Sequence, residues 1–371
     1  MRKGWEYKSF ETCINKLPKA KQVKTSEYSS GTKYPIISQE DKLISGYYDD
    51  ESYVFHIDSP VVIFVDHTRV LKYIDFDFVV GADGVKIISP QKDLNAKFLL
   101  YYLQWYKIPN LGYSRHYKLL REIKIPLPPQ STQLAIVSEL DKINELIRLK
   151  KEQLKDFDNL AQSLFYEMFG DPVENEKGWD VKKLDNVCNI TSSKRIFADE
   201  YTNTGIPFYR SKEVIERSKG LPISVELFIS EERYNEIKEK FGVPKIGDIL
   251  ITAVGTIGKI WAIDTDNKFY FKDGNLVWLK DIDNQLANSC FFRRLLEYLI
   301  EEYKKTNANG AAYNALTIAK LKLMSCPLPP LPLQRLFAQR IEQIEREKSE
   351  VQKSIQDLET LLASRMQYWF E

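Results

Sequence analysis

Pro126-Leu127-Pro128-Pro129 and Pro327-Leu328-Pro329-Pro330 decide how this chain is read. Gln133 stands seven residues after Pro126, and Gln334 stands seven residues after Pro327. Each proline run opens about forty residues almost free of glycine and proline. Apolar residues in the first copy fall at Ile136, Leu140, Ile143, Ile147, Leu154, Phe157, Ala161, Leu164 and Met168. Adding 201 gives Phe337, Ile341, Ile344, Lys348, Ile355, Leu358, Leu362, Arg365 and Trp369. Steps alternating between four and three mark the a/d seam of a coiled coil. The remaining seam positions are Lys150 and Val351. A helix of about 39 residues at 1.5 Å rise is roughly 58 Å long, too long for an ordinary globular helix. Two such helices in matched register are expected to pair. The expected packing residues are Ile136, Leu140, Ile143, Ile147, Leu154 and Phe157 against Phe337, Ile341, Ile344, Ile355, Leu358 and Leu362.

The duplication extends beyond the helices. Gly4-Trp5-Glu6 is echoed by Gly178-Trp179-Asp180, and Asp83-Gly84 by Asp273-Gly274. At the latter offset of 190, Thr68-Arg69-Val70 falls opposite Gly258-Lys259-Ile260. The offset grows from 174 to 201, so the second half carries about 27 extra loop residues. The expected order is a globular domain (1–128), a helix (129–170), a second globular domain (171–329) and a second helix (330–371). The expected class is α+β: two mixed α/β domains joined by two long antiparallel coiled-coil helices, with pseudo-twofold duplicated halves. Short β-branched or aromatic runs predict strands at 61–65, 70–74, 85–88, 249–252, 259–263, 268–271 and 276–279. Residues 95–106 and 288–303 read as matching helices.

Aromatic residues make up 12% and charged residues 28% of the 371 residues, which describes a folded chain with room for two or three domains. The net charge of +1 is unevenly spread. Residues 1–125 hold 19 Lys and Arg against 15 Asp and Glu, and residues 178–322 hold 22 against 20. Cys13, Cys188, Cys290 and Cys326 are far apart and form no CxxC, so reduced cytoplasmic thiols are expected. Neither a signal peptide nor a membrane-spanning run is expected.

No catalytic motif emerges. Gly255-Thr256-Ile257-Gly258-Lys259 fails as a phosphate loop, because Ala253 stands five residues before Gly258 and Ile260 follows the lysine. His56, His67 and His116 lack metal-ligand spacing. No methyltransferase tetrapeptide or adenosylmethionine loop is present. Binding chemistry is better represented. Tyr113-Ser114-Arg115-His116-Tyr117-Lys118 interleaves cations with aromatic rings, which suits phosphate neutralisation and base-edge reading. The candidate DNA-binding residues are Lys33, Arg69, Lys72, Lys86, Arg115, His116 and Lys118 in the first domain. In the second they are Lys194, Arg195, Arg210, Lys212, Lys259, Lys272 and Asn309. Arg69 and Lys259 are expected at matching places.

This pattern resembles the specificity subunit of type I restriction–modification systems, part of bacterial defence. The resemblance covers nearly the whole chain. It rests on the duplicated Pro-Leu-Pro-Pro…Gln openings, the Gly-Trp domain starts, Gly81-Ala82-Asp83-Gly84-Val85-Lys86, Gly247-Asp248-Ile249-Leu250-Ile251-Thr252 and Asn110-Leu111-Gly112-Tyr113-Ser114-Arg115-His116. It implies two target-recognition domains, each reading one half of a split double-stranded DNA target. It also implies a spacer that sets the gap and docks two methyltransferase subunits. Restriction and translocase subunits complete the complex. The chain itself is then expected to be non-catalytic and to bind no cofactor. S-adenosylmethionine, ATP and Mg belong to the partner subunits, and the setting is cytoplasmic. A coiled-coil adaptor and a one-chain DNA methyltransferase or nuclease are the alternatives.

Overall fold

The computed structural model describes residues 4–29, 31, 33–81, 84–112, 115–306 and 315–371. The chain divides into two compact units, Met1–Leu154 with Glu350–Glu371, and Lys155–Ser349. Both long helices, Gln130–Phe169 and Leu331–Phe370, have 40 residues and contribute to each unit.

The repeated Gly-Trp and Pro-Leu-Pro-Pro signals mark the two ends of each globular domain. Glu6–Ser9, just after Trp5, pairs antiparallel with Lys124–Leu127, which includes Pro126 and ends at Pro128-Pro129. Asp180–Lys183 pairs in the same way with Ser325–Leu328. Pro126 and Pro327 lie within these strands; the adjoining Pro128-Pro129 and Pro329-Pro330, which lack N–H groups and hold the preceding residue extended, end each strand before a helix begins. The first helix turn closes on the last proline carbonyl. Gln133 N–H donates to Pro129 O at 3.1 Å, and Gln334 N–H to Pro330 O at 3.3 Å.

The two glutamines bolt helix to domain. Gln133 is fully buried; its Oε1 accepts from Asn95 N–H at 2.8 Å, and its Nε2 donates to Asp93 O at 2.8 Å and Pro128 O at 3.0 Å. Gln334 repeats this, accepting from Asn288 N–H at 2.8 Å and donating to Leu286 O at 3.0 Å and Pro329 O at 2.8 Å. Asn95 is the N-cap of helix Ala96–Tyr106, so one amide joins the starts of two helices. Replacing either glutamine by alanine orphans buried backbone groups, each worth about 1–3 kcal/mol. Gln133→Ala and Gln334→Ala should each lower unfolding free energy by at least that much, measured by urea denaturation.

Besides its two-stranded ladder, each unit holds two sheets that correspond between the units. In the first, Val61–Val65 lies between Leu71–Ile74 and Val85–Ile88, all antiparallel. Beside it Tyr34–Ile37 runs parallel to Phe78–Val80, with Gly46–Tyr48 and Val54–Phe55 at the edges. In the second, Ile249–Thr252 lies between Ile260–Ala262 and Leu276–Lys280, with Asn189–Thr191 added at one edge. Ile206–Tyr209 runs parallel to Tyr270–Phe271 and pairs with Phe228–Ile229. Much of the extra length of the second half is helical: Ser211–Ser218 and Glu231–Lys240 have no helical counterpart.

Within each unit the two long helices run antiparallel. In the first unit, Lys151 Nζ pairs with Glu359 Oε1 at 2.8 Å, while Glu139 lies against Arg365 and Trp369. In the second, Lys348 Nζ pairs with Asp158 Oδ1 at 2.7 Å, while Phe337 meets Phe165 and Phe169 at 5.7 and 5.2 Å. The expected seam is buried at Ile136, Leu140, Ile143, Ile147, Phe337, Ile341, Ile344, Val351 and Ile355, and half-buried at Leu154, Phe157, Leu358 and Leu362. Two of its cationic positions meet partners on the facing helix, Lys348 with Asp158 and Arg365 with Glu139, while Lys150 Nζ donates to Gln153 Oε1 on its own helix at 3.2 Å. Near the helix ends the seam drifts, because 3.6 residues per turn do not match a repeat of 3.5. Phe165 and Phe169 join Leu164 in the core, and Met366 and Phe370 are buried where Arg365 and Trp369 were expected. Phe370 then packs on Phe98 of its domain helix at 5.5 Å, and Phe169 on Phe291 of the corresponding helix Ser289–Thr306 at 4.7 Å.

The Arg365 guanidinium, and secondly the Trp369 indole N–H, hold the Glu139 carboxyl below its usual range. A carboxyl with a lowered folded pKa stabilises fully above its unfolded value, about 4.3, and loses that contribution as pH falls through the lowered value. Glu139→Gln should therefore unfold earlier than the wild type at pH 7, and the two should converge in acid. Thermal midpoints measured against pH check this.

Candidate nucleic-acid interface

In the second unit, the ends of two strands collect cations whose sequence positions are far apart. The parallel strands end together, with Tyr209 beside Phe271, and Lys272 N–H then donates to Tyr209 O at 2.9 Å. Arg210 and Lys212 leave from one strand, and Lys272, Asp273 and Gly274 from the other. Lys194 N–H donates to Tyr270 Oη at 2.6 Å, and Arg195 Nε to Asp273 Oδ2 at 2.7 Å. Ala253 N–H donates to Asn275 O at 2.8 Å, which brings the hairpin loop before Lys259 to the same edge. The backbone at Lys194, Arg195, Arg210, Lys259 and Lys272 is thus brought to neighbouring strand ends, with Lys212 at the start of helix Ser211–Ser218. Asn309 lies outside the described residues.

These cations differ in availability. Arg210 is held between Glu213 Oε1 at 2.8 Å and Glu226 Oε2 at 2.9 Å, and Lys212 reaches Glu226 Oε1 at 2.6 Å. Lys212 and Arg210 together push the Glu226 carboxyl down to about 2. A phosphate arriving there must compete with a carboxylate. Among the described residues, no carboxylate lies within ion-pair distance of Lys194, Lys259 or Lys272. Glu226 carries no sequence signal, since it lies 14 residues from Lys212 in a loop.

The first unit distributes its candidates differently. Lys33, Arg115 and Lys118 are exposed, and Lys86 is half-buried with Nζ 6.0 Å from the Tyr117 ring. Arg69 is half-buried, and its Nη1 donates to Ile108 O at 3.0 Å. Two candidates are corrected by their burial. Lys72 is 5% exposed, with Nζ donating to Ser38 O at 3.0 Å and Lys42 O at 2.8 Å, and burial lowers its pKa. It ties down a loop instead of facing solvent. His116 is fully buried, with Nε2 accepting from Leu111 N–H at 3.0 Å and Nδ1 donating to Asp66 O at 2.8 Å. Its repeat equivalent shows the same structural role: His116 N–H donates to Asp66 O, and Leu316 N–H, from another fully buried residue, to Ala253 O.

The match of Arg69 with Lys259 is also corrected. Val65 N–H bonds Val70 O, and Thr252 N–H bonds Lys259 O, so Lys259 corresponds to Val70. Arg69 corresponds to Gly258, and both have left-handed backbone, with φ of 62° and 80°. The Gly258 position is closely packed: a Cβ there would meet Ile300 Cγ2 at 2.5 Å.

No helix among the described residues is long and apolar enough to cross a membrane. A family model for the type I restriction modification DNA specificity domain matches residues 3–156 and again 176–360. A Haemophilus influenzae protein bearing the name type I restriction enzyme specificity subunit S.HindORF215P is 28% identical over 359 residues, covering 92% of this chain and 87% of that protein. The type I restriction enzyme MjaIX specificity subunit of Methanocaldococcus jannaschii is 27% identical over 261 residues, covering 65% of this chain and 58% of that one. Among solved structures, the S subunit of a type I restriction-modification system from M. genitalium aligns with a TM-score of 0.55 at 16% identity, covering 98% of this chain and 95% of that one. A chain from a type I R-M system solved for its complex assembly and conformational transition aligns at 0.61 with 19% identity, covering 100% and 98%. Those two likenesses show the fold, and the family model matches each duplicated half, so the chain belongs to the DNA specificity family of type I restriction–modification systems.

Proposed function

We propose that each globular domain reads one half of a bipartite, asymmetric DNA target, and that the chain serves two methyltransferase subunits as a non-catalytic specificity subunit. The observation that carries this reading is one fold used twice with unlike cation edges. The second domain carries six basic residues on segments that meet at neighbouring strand ends, whereas the first exposes Lys33, Arg115 and Lys118. Unlike edges on a common scaffold suit two different half-sites. The paired helices then set the gap, and the duplicated plan suits two copies of one partner on corresponding surfaces. In this reading S-adenosylmethionine serves the methyltransferase subunits, and ATP and Mg serve restriction subunits where these join.

Substitution in one domain should change recognition of one half-site only. Replacing a phosphate-binding lysine, with Lys118→Ala and Lys272→Ala as trials, should weaken all sequences alike and flatten the salt slope by about one. Replacing a base-reading arginine, with Arg115→Ala as the first trial, should cost roughly 1–3 kcal/mol and relax one position. Binding to libraries randomised in each half-site reads both effects. Relaxation of both half-sites by a first-domain substitution would contradict the proposal.

A further inference from the structure

Phe241 and Phe197 are large apolar side chains left in solvent beside the second domain's cation edge, 48% and 60% exposed. Lys194 Nζ sits 5.2 Å from the Phe241 ring centroid, and Lys194 is tied through its N–H to Tyr270 Oη at that same edge. The ring has a firm mount. Phe241 caps helix Glu231–Lys240, and its N–H and that of Gly242 both donate to Ile237 O, at 2.8 and 3.1 Å. Gly242 has φ of 80°, and a Cβ there would touch Trp278 at 3.9 Å. Beneath it Ile196, Tyr234 and Ile237 form a buried cluster that fixes the helix to the segment carrying Lys194 and Phe197. An exposed aromatic ring on an anchored helix end, with a cation beside it, is suited to duplex DNA. The cations meet phosphates, and the apolar ring gains by leaving water for the space between base pairs, where partial unstacking kinks the duplex.

We propose that Phe241 is a wedge that enters a base step at or beside the second domain's half-site, with Lys194 taking an adjacent phosphate. The proposal rests on the DNA-recognition reading and adds a deforming contact to it. The first domain also places a lysine over a ring, Lys21 Nζ at 5.1 Å from Tyr53. There the ring is half-buried and packed edge-on against Tyr48 at 5.2 Å, so it is not free to enter a duplex. The rings under Lys86 and Lys97, Tyr117 and Tyr73, are half-buried as well, so among the described residues the deformation is assigned to the second half-site.

The test uses the full chain on duplexes carrying its split target, with 2-aminopurine placed step by step through and beside each half-site. Wild type should raise 2-aminopurine fluorescence at one step on the second side and none on the first. Phe241→Ala should abolish that rise and weaken binding about tenfold with the salt slope unchanged, while Phe241→Trp should keep both. Lys194→Ala should keep the fluorescence and lower the salt slope by about one. Matching thermal midpoints establish that the variants are folded. A wild-type chain that binds with no fluorescence rise, or a Phe241→Ala variant with wild-type rise and affinity, overturns the wedge while leaving target recognition standing. A wild-type chain that binds neither half-site overturns both.

Discussion

Lengthening both long helices by seven residues, after Leu154 and after Lys353, should widen the gap between half-sites by about three base pairs and leave the half-site sequences unchanged. Seven residues add roughly 10 Å to a helix, against about 3.4 Å per base step. A full heptad in each helix keeps the seam in phase, and the two sites face each other: 151 meets 359 on one side, and 158 meets 348 on the other. Insertion in one helix alone should instead destabilise the chain, since one seam would slide past its partner. The modified motif, read by sequencing methylated DNA, reports the gap. A change in either half-site sequence would count against the spacer role.

Phe337→Ala should destabilise the second unit by about 3–5 kcal/mol, the range for truncating a fully buried aromatic side chain. Phe337 is fully buried, meets Phe165 and Phe169, and shares a core with Leu295, Leu296 and Ile300 of the domain helix. Chemical denaturation of the full chain should show a transition displaced to lower denaturant. A shift worth less than about 1 kcal/mol would mean that the helix is not anchored through this ring.

The long helices and their domain ends were legible because the signals are local. Steps of four and three and the prolines act within a few residues of their position; Gln133 and Gln334 were visible only as a repeat, since they act at Asn95 and Asn288, 38 and 46 residues away. Strands Val61–Val65, Val85–Ile88 and Ile249–Thr252 were legible from β-branched runs bounded by turns. The parallel pairs were not. Tyr34–Ile37 meets Phe78–Val80 across about forty residues, and Tyr270–Phe271 is only two residues long. The repeat register failed by one residue at Arg69 because it was carried back from the Asp-Gly pairs, and the second half is longer between Lys259 and Leu276 than the first is between Val70 and Val85; only the hydrogen bonds of Val65 and Thr252 align them. Side-chain fate was the least readable. Lys72 and His116 have sequence contexts much like those of Lys118 and Arg115, yet carbonyls separated by tens of residues draw the first two inside. Likewise Glu226 lies outside any basic motif, and folding alone brings it to Arg210 and Lys212.

The central claim is that one chain reads a split target through two unlike domains. The most direct test expresses it with a candidate methyltransferase partner in a host without adenine methylation and maps modified adenines across the genome. The account predicts one asymmetric motif of two half-sites separated by a fixed gap. A contiguous motif, or no methylation from a partner shown to bind this chain and to be active with another specificity subunit, would contradict it.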